Sequence, residues 1–130
     1  MKVVVDTNVL ISAFAFGGNA ERVLEKALAV GEVICSAFII NELTRVLKEK
    51  LNIPSDKVNR ILSALHQVVI IIEPNKPLPS ICRDPDDNNI LQLAETANAD
   101  FIVTGDKDLL ILAVFGNTTI VSPATIVQTN

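Results

Sequence analysis

Five short runs dominated by β-branched and other apolar residues punctuate the chain: KVVV (2–5), EVIC (32–35), VVIII (68–72), DFIVT (100–104) and TIV (119–121). Between them, apolar residues recur at helical rather than alternating spacing. Runs that are apolar throughout suit strands buried on both faces, and strands alternating with helices imply parallel neighbours joined by helical crossovers. The expected fold is therefore α/β, a three-layer α/β/α sandwich.

The helical stretches carry their own punctuation. Residues 20–29 place Val23, Leu24, Ala27 and Leu28 on one face. Ser36 is a plausible N-cap for a helix over Ala37–Leu51, whose stripe is Ile39, Leu43, Val46, Leu47 and Leu51. Pro54 and Ser55 start another helix that runs to about Gln67. A fourth runs from Asp84 or Pro85 to about Asn98, and a short one lies near Asp108–Leu112. The segment EPNKPLPS (73–80) reads as a surface connection, not a domain linker. With 130 residues and no internal repeat, residues 1–130 are expected to form one domain.

Composition excludes several classes. Apolar residues make up 49% of the chain, which argues against disorder, and no apolar run approaches the length that spans a bilayer. In MKVVVD, Asp6 interrupts the apolar stretch too early for a signal peptide. A cytoplasmic location without a membrane partner is expected. Cys35 and Cys82 lack CxxC spacing and read as reduced, buried thiols, while His66 is the only histidine and lies on a helix flank. Zinc binding and Ser-His or Cys-His nucleophilic chemistry have no support, and no phosphate-binding glycine motif is present.

The net charge of −4 is unevenly spread. Residues 22–60 carry seven bases against five acids, whereas residues 61–130 carry three bases against eight acids. A basic half beside an acidic cluster suits a phosphate-bearing substrate held near bound cations, although helical surface charge gives the same composition.

The acids follow a spatial logic. Strand C-termini of a parallel sheet share one edge, where ligands bind. Asp6 follows the first strand directly, and Asp106 follows DFIVT in the turn VTGDKD. Glu42 flanks the apolar stripe near the start of its helix, whereas Glu49 lies two turns further along. In DPDD, Asp84 is placed to cap, Asp86 projects to another side, and Asp87 shares the face of Ile90 and Leu91. Taken singly, each acid has an ordinary explanation as a turn, cap or solvated residue. Together, Asp6, Glu42, Asp87 and Asp106 fall on one edge with no histidine or lysine among them. Crowded carboxylates repel, and a divalent cation relieves that repulsion; oxygen ligands alone favour Mg²⁺ or Mn²⁺.

The motifs that carry these acids, VVVDTNVLISA (3–13), NEL (41–43), RDPDDNNILQLA (83–94) and ADFIVTGDKDLL (99–110), resemble the PIN-domain ribonucleases, including the VapC-like toxins of toxin–antitoxin pairs. The resemblance covers nearly the whole chain. It implies a five-stranded parallel sheet between helices, and metal-binding acids at Asp6, Glu42, Asp87 and Asp106. It matches Asn8 to a position supporting the first acid, and leaves Asp84, Asp86 and Asp108 as helpers or alternatives. It further implies homodimers and inhibition by a separate antitoxin.

A Mg²⁺- or Mn²⁺-dependent endoribonuclease is thus expected, with RNA as substrate and Arg45 and Lys48 as candidates to hold its backbone. Two rivals are a non-catalytic RNA-binding protein of the same fold and a receiver-like phosphoacceptor domain. The second wants an acid pair after the first strand and a lysine after the last. Asp6 stands alone, and TIVSPAT (119–125) has no lysine.

Overall fold

The computed structural model describes residues 1–128. Its strands are β1 (Lys2–Val5), β2 (Glu32–Cys35), β3 (Val69–Ile71), β4 (Phe101–Val103), β5 (Val114–Phe115) and β6 (Thr118–Val121). Its helices are α1 (Thr7–Ala15), α2 (Gly18–Val30), α3 (Ala37–Arg45), α4 (Ser55–Val68), α5 (Pro85–Ala97), α6 (Lys107–Leu110) and α7 (Pro123–Gln128). The strands form one sheet in the order β3-β2-β1-β4-β6-β5, parallel except for the β5–β6 pair.

The two central strands hold the interior. Val3, Val4 and Val5 of β1 and Ile102 and Val103 of β4 are buried, in register as Val4↔Ile102 and Val5↔Val103. Each such side chain contributes roughly 1.5–3 kcal/mol through its removal from water. Right-handed crossovers put α1–α4 on one face and α5 on the other. Consistently, α2 packs on β2, while α5 packs on β1 and β4 through Ile90, Leu91, Ala94 and Ala97. Ser36 caps α3 by accepting from the Ile39 N–H at 3.3 Å, as its spacing predicts.

Four features depart from the expected layout. The sheet has a sixth strand: Phe115 pairs with Thr118 across Gly116 and Asn117, and Gly116 takes the positive φ (58°) that a two-residue hairpin loop needs. Helix α1 begins immediately after β1, where Thr7, Val9 and Ile11 lower helix propensity and mask the signal. Helix α7 closes the described chain and packs against α2. The helix expected over Ala37–Leu51 stops being α-helical at Arg45 and widens into a π-helical turn, Val46–Lys50, with the Leu51 N–H donating to Val46 O.

Neither cysteine is paired. Cys35 is buried, which pushes its thiol up to about 11, whereas Cys82 is only half-buried, less than expected. His66 is exposed on α4, its Nδ1 2.8 Å from Leu62 O.

Candidate active site

The β1–β4 ladder ends in a polar clasp. The Asp6 N–H donates to Val103 O, so Asp6 is the first residue beyond the strand yet remains buried. Thr104 occupies the matching position after β4 and is fully buried. Its Oγ1 donates to Asp6 Oδ2 at 2.7 Å and accepts from the Asp106 N–H at 3.0 Å. One hydroxyl thus ties the acid after β1 to the backbone of the acid after β4. Burial raises the Asp6 pKa, and the Asp106 charge adds to it; the Thr104 hydroxyl and the nearby N–H groups of Thr7 and Asn8 oppose it.

Asp106 also caps α6, accepting from the Asp108 N–H at 2.8 Å. Asp84 caps α5 in the same manner through the Asp86 N–H at 2.9 Å. That cap sets the rotation of the first turn and turns Asp87 inward, where it is 5% exposed. Asp87 Oδ2 is buried without a hydrogen-bond partner. Burial raises the Asp87 pKa to about 7, reinforced by the charges of Asp106, Asp6 and Asp84.

A cleft of about 190 Å³ collects these groups: Asp6, Glu42, Asp84, Asp86, Asp87 and Asp106 all line it, beside Arg45 and Lys50. The four acids expected at the edge are therefore together. Asp86 differs from expectation, because it lines this cleft instead of projecting elsewhere, with burial and the charges of Glu42 and Asp84 raising its pKa. Glu42 is held at the wall by Arg45, whose Nη2 donates to its Oε1 at 2.7 Å. Asn8 also lines the cleft, but Lys48 does not; Lys50, on the π-helical turn, reaches it instead.

Asp108 does not line this cleft but stands beside Asp87 and Asp106. One oxygen each from Asp87, Asp106 and Asp108 lie within 4.8 Å of one another, a spacing that a single cation can bridge. Asp108 is oriented by Arg83, whose Nη2 donates to Oδ1 at 2.9 Å and to Oδ2 at 3.0 Å. The donor set is all carboxylate, and the bare Asp87 oxygen is the acceptor a divalent cation would satisfy. The acids fit such an ion.

Sequence reasoning missed Thr104 and Arg83, and counted Lys50 only as one of the bases of residues 22–60. Thr104 had a signal, because a hydroxyl residue directly after a buried strand sits at the ligand-binding edge. Arg83 and Lys50 had none beyond their charge.

Comparison with known proteins agrees with this geometry. Residues 2–108, from β1 into α6, match the PIN domain family. An uncharacterized protein of Methanocaldococcus jannaschii is 36% identical over 124 residues, covering 86% of this chain and 75% of that protein. The crystal structure of VapBC2 from Rickettsia felis, bound to a DNA fragment from its promoter, includes a chain of the same fold. That chain superposes with a TM-score of 0.68 at 17% identity, covering 94% of this chain and 98% of its own length. With the match extending across every acid of the cleft, this chain belongs to the PIN-domain family.

Proposed function

We propose that the protein is a metal-dependent endoribonuclease, hydrolysing RNA phosphodiester bonds at the acidic cleft. The observation that carries this reading is Asp87: a buried carboxylate oxygen without a partner, facing Asp106 and Asp6. An arrangement so costly in the bare protein suits a cation-binding role better than a structural one.

Asp87, Asp106 and Asp108 would hold a Mg²⁺ or Mn²⁺ ion, with Asp6 and Glu42 completing the pocket. A bound divalent cation supplies an activated water and neutralises the phosphodiester charge during in-line attack. The protein's own groups do the rest. Thr104 fixes the Asp6 carboxylate, so that its free oxygen keeps one direction. Arg83 steadies Asp108, and Arg45 steadies Glu42. Lys50 and Arg45 stand where a phosphate backbone would cross the cleft, with Lys48 exposed on the same turn as Lys50. The non-catalytic alternative is less well supported, because each acid expected of the family is present and lines the cleft.

The likeness to the VapBC2 chain supports a toxin role with a protein antitoxin as partner. Among the described residues no helix is long and apolar enough to cross a membrane.

Cleavage of short RNAs with Mn²⁺, and again with excess chelator, tests the activity. Metal-dependent cutting is expected, and Asp6→Asn should lower it by orders of magnitude without lowering the melting temperature of the metal-free protein. Equal cutting by that variant would remove the acids from the mechanism.

A further inference from the structure

A trough of about 440 Å³ opens beside the acidic cleft and shares Asn8 and Asp106 with it. Its remaining walls come chiefly from Val9 and Ser12 of α1, Asn19 and Ala20 of α2, and Pro123 at the start of α7. The chemistry changes sharply across the shared residues. One side is crowded with carboxylates; the other is mostly carbon, with two amides and one hydroxyl. Among the described residues, the side chains of Asn8, Ser12 and Asn19 make no hydrogen bond to another residue. Beyond Asn19 and Pro123 the depression continues to Arg22, which is exposed and forms no ion pair among the described residues.

Acids, then an amide-edged apolar trough, then a free guanidinium: this order matches a phosphate, its neighbouring base and the next phosphate of one strand. We propose that the trough is a nucleobase subsite. It takes the unpaired base flanking the scissile phosphodiester, with Arg22 meeting the following phosphate. The proposal rests on the nuclease reading and adds to it a pocket that reads the identity of the base beside the cut. Ala20 and Pro123, over the buried Val9, offer apolar surface to the base faces, and the Asn8 and Asn19 amides offer a donor and an acceptor each to its edge. A base paired in a helix presents neither a free face nor a free Watson–Crick edge, so the base must be unstacked to enter. An amide that both donates and accepts can distinguish one base edge from another. On the α3 flank, by contrast, the depression is lined by Phe38, Asn41 and the Glu42–Arg45 ion pair, whose charges already engage one another.

Two measurements test the subsite and separate it from the nuclease reading. First, metal-free ¹⁵N-labelled protein is titrated with the four common nucleoside 5′-monophosphates and with ribose 5-phosphate. The Asn8 and Asn19 side-chain amide signals should respond to one base at concentrations about tenfold lower than to the least favoured. Ribose 5-phosphate should leave them in place. Ala20→Phe, which fills the trough, should abolish the difference between bases. Second, Mn²⁺-loaded wild type, Asn19→Ala and Ala20→Phe are given an RNA with a randomised single-stranded loop. Wild type should prefer one base next to the cut, and Asn19→Ala should weaken that preference about tenfold. Amides blind to base identity overturn the subsite and leave the trough to a peptide. Cutting with a preference that neither variant changes also overturns it. Amides that discriminate among bases, in a protein that cuts no RNA, uphold the subsite and overturn the nuclease reading instead.

Discussion

At the residue scale, Asp87 carries the sharpest electrostatic signature. Its pKa rises from 3.8 to about 7 on folding, chiefly through burial. The folded metal-free protein therefore binds more protons than the unfolded chain between those values. Stability from this group is fully present at low pH and is lost as pH rises through about 7. Melting curves of the metal-free protein should show a lower melting temperature at pH 8 than at pH 5. Asp87→Asn should flatten that dependence, raise the pH 8 value, and remove most of the stabilisation by Mn²⁺. A steeper fall in the variant would place the titrating group elsewhere. Thr104 gives a second prediction, because its hydroxyl serves Asp6 and Asp106 together. Thr104→Val keeps the shape but strands a buried Asp6 oxygen and the half-buried Asp106 N–H, which costs roughly 1–3 kcal/mol. Cleavage should fall with it, whereas Thr104→Ser should retain most of both. Equal activity in the two variants would show that the hydroxyl does not orient the acids.

At the element scale, the first turn of α5 divides labour between adjacent acids. Asp84 accepts from the Asp86 N–H at the helix start, and Asp87 turns into the cleft. Asp84→Ala should destabilise the protein by about 1 kcal/mol, the usual cost of a lost N-cap. Cleavage measured well below the melting temperature should largely persist. If Asp84→Ala is inactive while Asp87→Asn still cuts, the roles of the two residues are exchanged. The π-helical turn after α3 has a positional effect of its own. By widening the helix at Val46–Lys50, it brings Lys50 to the cleft wall, while Lys48 stays outside. The expectation that Arg45 and Lys48 point the same way follows regular helical periodicity, which the π-helical turn interrupts.

At the scale of the whole molecule, a protein of net charge −4 must bind a polyanion through a local field, not an overall one. The basic residues that line the acidic cleft are Arg45 and Lys50, and Arg45 is already engaged by Glu42. Lys50→Glu should therefore weaken RNA binding and make the salt dependence shallower by about one phosphate contact. Lys48→Glu should change the slope less. A slope unchanged by Lys50→Glu, measured by titration at several salt concentrations, would move the RNA path away from this wall.

Much of the fold and of the acidic cleft could be read before any coordinates, for local reasons. Runs such as KVVV and DFIVT announce buried strands through composition, and a parallel sheet forces their following residues, Asp6 and Asp106, onto one edge. The capping geometry of DPDD depends only on neighbours in sequence, so Asp84 and Asp87 could be told apart by spacing. What spacing could not supply was everything settled by contacts between distant segments. Thr104 meets Asp6 across 98 positions, and Arg83 meets Asp108 across 25. Asp86 lines the cleft because α3 approaches from the other side, bringing Glu42 and Arg45. The trough beside Asn19 exists only where α1, α2 and α7 converge, and two of those helices left no clear periodic signal. Short-range periodicity fixes which face a residue takes on its own element; only packing between elements decides which faces meet, and so which polar groups become partners.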